Sequence, residues 1–146
     1  MAAIGRKLVG AAVTMYVLAG PIFADRAADV RSQMAHIATA LTDGNPSDAM
    51  APFDKSFSNY EQLRNYFGGL TSSYQLLNEV DVTDEQDTDE ETKLTVNWTL
   101  TMTDVATSFA ARRSAEINVR LVQEGGKWKI VDFSPIEVFN PQQKTK

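Results

Sequence analysis

The residues from Lys93 to Phe139 constrain the fold more than any others. Leu94, Val96, Trp98, Leu100 and Met102 alternate with Thr95, Asn97, Thr99 and Thr101. Successive side chains of a strand point to opposite faces, so residues 94–102 make a strand with one apolar face and one Thr-rich face. Residues 115–122 repeat the pattern, with Ala115, Ile117, Val119 and Leu121 set against Glu116, Asn118 and Arg120. Gly125-Gly126 is a tight hairpin signal leading into a third segment, 126–133, that closes on Ser134-Pro135. An earlier strand is expected from Leu76, Asn78, Val80 and Val82, ending in an acidic turn over 83–91. A sheet with a single apolar face needs another layer to cover it.

That layer is expected from the residues that precede it. Val30, Met34, Ile37, Ala38 and Leu41 recur at helical spacing, which predicts an amphipathic helix over 25–42 ending at Asp43-Gly44. Asn45 caps a short second helix with Pro46 at its first position, and Pro52 limits it to about two turns. Ser58 and Glu61 have capping-box spacing, and Tyr60, Leu63, Phe67, Leu70 and Tyr74 then form one aromatic-rich stripe. Gly68 and Gly69 each weaken this third helix by about 1 kcal/mol relative to Ala.

The first 24 residues read as an export signal: Arg6 and Lys7, an apolar core from Leu8 to Leu18, a break at Gly20-Pro21 and Ala24 before Asp25. An uncleaved anchor is the alternative, at 17 charge-free residues from Leu8 to Ala24, the short edge of what spans a bilayer. The core length and Gly20-Pro21 favour cleavage near Ala24. Removing 24 of the 146 residues leaves 122, enough for one self-sufficient domain. The chain has no Cys, so it folds without disulfides, which suits a bacterial periplasm better than a eukaryotic secreted domain. Without Arg6 and Lys7, 12 basic residues face 19 acidic ones, a net charge of −7. That balance repels phosphate backbones and anionic lipid, which argues against nucleic-acid partners and against membrane contact except through an uncleaved signal.

Helices followed by a long antiparallel meander imply an α+β domain with a curved sheet over helices. In this the chain resembles the NTF2-like (cystatin-like cone) superfamily, in particular exported bacterial proteins of that fold whose activity is unknown. The resemblance rests on Phe57-Ser58-Asn59-Tyr60-Glu61-Gln62-Leu63, the Trp98 strand, Arg112-Arg113, and Gly125-Gly126-Lys127-Trp128-Lys129-Ile130-Val131-Asp132-Phe133-Ser134-Pro135. It covers about 25–140, leaving 141–146 as a polar tail. The superfamily includes ketosteroid isomerases, dehydratases, epoxide hydrolases and polyketide cyclases, so the resemblance implies a cone and no single reaction.

An isomerase or dehydratase of this kind needs an acid–base group inside the cone. The inward series of the two long strands supplies none. Asp132 is the one acid in phase with Trp128 and Ile130, although Val131 and Phe133 claim the same face. His36, the single histidine, stands outside the Met34–Ile37–Leu41 stripe, and one histidine with no cysteine excludes a His-based metal site. The acidic turn lacks the spacing and the glycine of a calcium loop. Asn97-Trp98-Thr99 matches a glycosylation sequon but lies mid-strand. No cofactor is indicated. Arg113 has inward parity and Arg112 outward parity; a cation at the mouth of an apolar cone suits a ligand carboxylate. Tyr60, Phe67, Tyr74, Trp98 and Trp128 either fill the core or line a cavity for a small apolar ligand. Three functional expectations result. The first is a non-catalytic module binding a small apolar ligand or a protein; the second is an isomerase- or dehydratase-type enzyme using Asp132 with a Tyr; the third is a homodimer through the Thr-rich outer sheet face.

Overall fold

The computed structural model describes residues 20–142, with side chains from position 26. The expected export signal up to position 19, and positions 143–146 of the expected tail, lie outside the described residues. The chain separates into two compact units, Met1–Ser32 and Gln33–Lys146. Of the first, the described residues are the opening turns of helix α1; the sheet and the site lie in the second.

Helix α1 runs Gly20–Thr42, five residues longer at its start than the periodicity predicts. Gly20-Pro21 opens the helix instead of breaking it, since a proline in the first turn forfeits no intrahelical bond. It ends at Gly44, whose φ of +79° lets the Gly44 and Asn45 amides bond back to Leu41 and Ala40. Helix α2, Pro46–Met50, is capped as expected, with Asn45 Oδ1 accepting from the Asp48 amide at 3.1 Å. Helix α3, Tyr60–Ser73, carries Leu63, Phe67 and Leu70 as its buried stripe. The Ser58–Glu61 capping box does not form: Asn59 holds the cap position, and the Glu61 carboxylate accepts from Arg64 at 2.7 Å.

Four strands follow as an antiparallel meander ordered β1-β2-β3-β4: Tyr74–Asp87, Glu91–Asp104, Ala110–Glu124 and Lys127–Ser134. In β2 the alternation holds throughout, with Leu94, Val96, Trp98, Leu100 and Met102 all buried. Register places Val96 opposite Ile117 and Leu94 opposite Val119, so both apolar series share the inner face. Strand β1 does not stop at Val82. A bulge between Val82 and Asp84 carries it on to Asp87, so the acidic stretch is mostly strand and the turn is only Thr88–Glu90. Gly125 and Gly126 have φ of +57° and +82°, the double left-handed geometry of a two-residue hairpin turn. The open edge of β4 is partly covered, because Ile130 exchanges backbone bonds with Pro52 and Asp54 at 2.9 and 2.8 Å. A short 3-10 turn, Glu137–Phe139, ends the ordered elements and brings Val138 and Phe139 into the core.

Candidate functional site

The space enclosed by α3 and the inner sheet face holds an interlocked set of rings. Trp98 from β2, Phe67 from α3, Phe133 from β4 and Phe139 from the 3-10 turn are all fully buried. Phe139 stands edge-on to Phe67 at 5.2 Å and to Trp98 at 5.3 Å, centroid to centroid. Phe133 is edge-on to Trp98 at 6.0 Å and to Phe53 at 5.1 Å. Such edge-to-face contacts satisfy the ring quadrupoles and leave little room for a guest. The Trp98 indole N–H donates to Asn78 Oδ1 at 2.9 Å, while the Asn78 side chain and backbone amide both donate to Thr42 Oγ1. The polar end of the largest core residue is therefore satisfied within the fold.

Of the predicted site residues, Phe67 and Trp98 meet through Phe139. Tyr60 is half-buried beside an open pocket of about 450 Å³ formed with Met50, Phe53, Asp54, Lys55 and Lys129. Tyr74 is half-buried at the start of β1. Trp128 is buried near the β3–β4 hairpin, its carbonyl accepting from Gln33 Nε2 at 2.7 Å. Arg113 faces inward, opposite Leu100, as its parity predicts. Its Nη1 donates to the carbonyls of Val138 at 3.0 Å and Asn140 at 2.7 Å, and its partial burial pulls its pKa below the usual arginine value. The expected cation at the cone mouth thus anchors the chain's own C-terminal turn.

Of the two phases the sequence leaves open for Asp132, the structure has the outward one. A bulge between Arg120 and Leu121 of β3 shifts the phase of β4, so Ile130 and Phe133 both point inward and Asp132 pairs with Arg120 on the outer face. Arg120 Nε donates to Asp132 Oδ2 at 3.0 Å and its Nη1 to Glu91 Oε1 at 2.9 Å, and both carboxylates raise the arginine's pKa. An acid–base role inside the cone has no geometry at this position. The β1 bulge has the converse effect on Glu85, which pairs with Leu94, four residues along β2 from Trp98. His36 is exposed, with Nε2 3.1 Å from the Asp48 carbonyl and 3.4 Å from its carboxylate. Among the described residues no cluster of acids or histidine is arranged to hold a metal ion.

The outer face carries the Thr row of β2, flanked by Glu79 and Asp81 of β1 and by Arg112 of β3. Lys93, Thr95, Asn118, Arg120, Asp132 and Ser134 line an open groove of about 400 Å³ at one end of that face. Leu77, opposite Thr101, is half-exposed on it.

Sequence reasoning missed Phe139, the ring at the centre of the cluster. The signal was present as Ile136, Val138 and Phe139 directly after Pro135, an apolar group too short to show a period.

This architecture matches that of several solved structures. A putative scytalone dehydratase from Novosphingobium aromaticivorans aligns over 78% of this chain and 85% of its own, with a TM-score of 0.68 and 10% identity. A ketosteroid isomerase-like protein from Erwinia carotovora aligns over 73% and 91%, with a TM-score of 0.62 and 11% identity. A nuclear transport factor 2 (NTF2-like) superfamily protein from Salmonella enterica aligns over 71% and 84%, with a TM-score of 0.58 and 7% identity. No protein-family model matches the sequence, and no curated protein does. The fold is the NTF2-like, cystatin-like cone. At these identities the likeness concerns the fold alone.

Proposed function

We propose that this protein is an exported, non-catalytic binding module of NTF2-like fold. The observation that carries this reading is the content of the cone: the rings of Trp98, Phe67, Phe133 and Phe139 occupy it, and the one candidate acid, Asp132, pairs with Arg120 outside. General acid–base catalysis needs a group within hydrogen-bond reach of substrate, and none of the ring cluster can move a proton. Export rests on Arg6-Lys7 and the apolar core that follows them, and fractionation of a cell expressing the tagged chain tests it. A chain retained in the cytoplasm would refute that half of the reading.

The surface such a module presents is the outer sheet face, and the partner we infer is a second copy. Glu79 and Asp81 lie on one side of the Thr row, and Arg112 and Glu116 on the other. A two-fold axis along β2 lays Arg112 over Leu77 at the Thr101 level in both halves of an isologous contact, with Glu79 one residue pair away and Asp81 against Glu116 at the Asn97 level. Light scattering is expected to return the mass of a dimer, and Leu77→Glu with Arg112→Glu to return that of a monomer. A monomeric parent at millimolar concentration refutes self-association and leaves the non-catalytic reading standing.

A further inference from the structure

We propose that the groove on the outer sheet face, at the end nearer the β1–β2 turn, is a binding site for a neutral oligosaccharide. Two adjacent rows of outward side chains cross the whole sheet there. Asp84, Thr95, Asn118 and Ser134 form one, paired strand to strand from β1 to β4. Gln86, Lys93, Arg120 and Asp132 form the next. Both rows depend on the two bulges. Without the extra residue Thr83, β1 would turn Asp84 and Gln86 inward; without Val131, β4 would set Asp132 opposite Val119 on the inner face. A bulge re-aims the side chains beyond it, and here two of them converge on the same polar strip. Three inter-strand spacings make the strip about 14 Å long, the reach of a short glycan.

The chemistry of the strip selects the class of ligand. Among the described residues, the Thr95 hydroxyl, the Asn118 amide and the Ser134 hydroxyl have no protein partner, whereas Thr99 and Ser114, further along the same two strands, bond each other at 3.3 Å. The charges, by contrast, are already paired. Lys93 and Arg120 stand directly opposite, and Glu91 reaches both, at 3.8 and 2.9 Å. Asp132 takes the other side of Arg120 at 3.0 Å, and Asp84 accepts from Gln86 at 3.2 Å. A charged ligand would have to break these pairs. Sugar hydroxyls donate and accept at once, which suits an amide between two hydroxyls and leaves every ion pair in place.

This inference goes beyond the non-catalytic reading and rests on neither export nor self-association. Two copies sharing the β2 axis would set two such grooves face to face. The test therefore uses the chain carrying Leu77→Glu and Arg112→Glu, whose changes lie away from the groove at the Thr101 level. Cellotetraose is titrated against it and followed by the protein's amide proton–nitrogen spectrum. Saturable shifts centred on Thr95, Asn118 and Ser134 are expected, with a millimolar Kd that is unchanged when salt is raised about tenfold. Asn118→Ala, an exposed change, should weaken binding about fivefold. Glu79→Gln, on the same face beyond the β1 bulge, should leave it unchanged. Should Asn118→Ala disturb the fold, Thr95→Val takes its place with the same expectation. No saturable shift by about 50 mM glycan, or an affinity untouched by the groove variant, overturns the proposal. Tighter and salt-sensitive binding of glucuronate overturns it as well, because it would make the groove an anion site.

Discussion

Truncating Phe139 to alanine tests how the cone is built. The ring is fully buried and meets Phe67 at 5.2 Å, Trp98 at 5.3 Å and Phe133 at 5.9 Å. Removing a buried phenylalanine costs about 3–5 kcal/mol, from lost transfer energy and the cavity left behind. Edge-to-face pairs contribute about 0.5–1.5 kcal/mol each beyond their burial, which places this site near 4 kcal/mol. With an m-value of about 1.5 kcal/mol/M, the urea midpoint falls by about 2–3 M at unchanged slope. Phe139→Leu keeps most of the apolar volume and loses the ring edges, so it should cost about 1.5 kcal/mol. The two variants and the parent are compared by urea unfolding followed by far-UV circular dichroism. A loss under about 1 kcal/mol for Phe139→Ala is what a surface position gives, and it would refute the placement of this ring in the core.

Gly69→Ala should destabilise although alanine is the better helix former by about 1 kcal/mol, because the new methyl meets Pro141 Cγ at 2.7 Å. In a Pro141→Ala background the same change should stabilise, and thermal melts of the four proteins in the cycle report the reversal. Asp132→Asn should change stability by under about 0.5 kcal/mol by urea titration, since its partner interaction is an exposed ion pair. The Glu124 carboxyl is held above its ordinary pKa of 4.5 chiefly by its hydrogen bond to Asp54, whose own pKa is lowered chiefly by the Ser56 backbone amide. A raised acid favours the fold while protonated and loses that contribution as pH rises through its folded pKa; a lowered acid contributes above 3.8 and loses it as pH falls. Glu124→Gln should therefore raise the urea midpoint relative to the parent at pH 7, with the gap shrinking by pH 4. A gap that widens on acidification contradicts the assigned pairing.

The sheet was legible in the sequence where its alternation is regular. Every apolar residue from Leu94 to Met102 is buried, because a one-sided sheet leaves that pattern no other register. Legibility ended at the bulges. An extra residue inverts the phase of everything beyond it, and neither the Val82–Asp84 bulge nor the one near Val131 carries a glycine to mark it. That is why the sequence left the face of Asp132 open, and the structure puts it outward. Arg113 was placed on the correct face, but its partners are backbone carbonyls from a segment 25 residues on, which no local pattern encodes. The aromatic stripe of α3 put Phe67 on the side of Trp98 but not the Phe139 ring that both of them meet. Phe139 belongs to a single turn, and one turn has no period to read.

The claim on which the rest depends is that the cone is closed by the chain's own C-terminal turn. Nuclear Overhauser contacts from the Phe139 ring, recorded in solution, test it most directly. Cross-peaks to the Trp98 indole and the Phe67 ring, with a Phe139 amide protected from exchange through its bond to the Ile136 carbonyl, are the predicted result. Absence of both cross-peaks, with that amide exchanging as fast as an unfolded one, would contradict it.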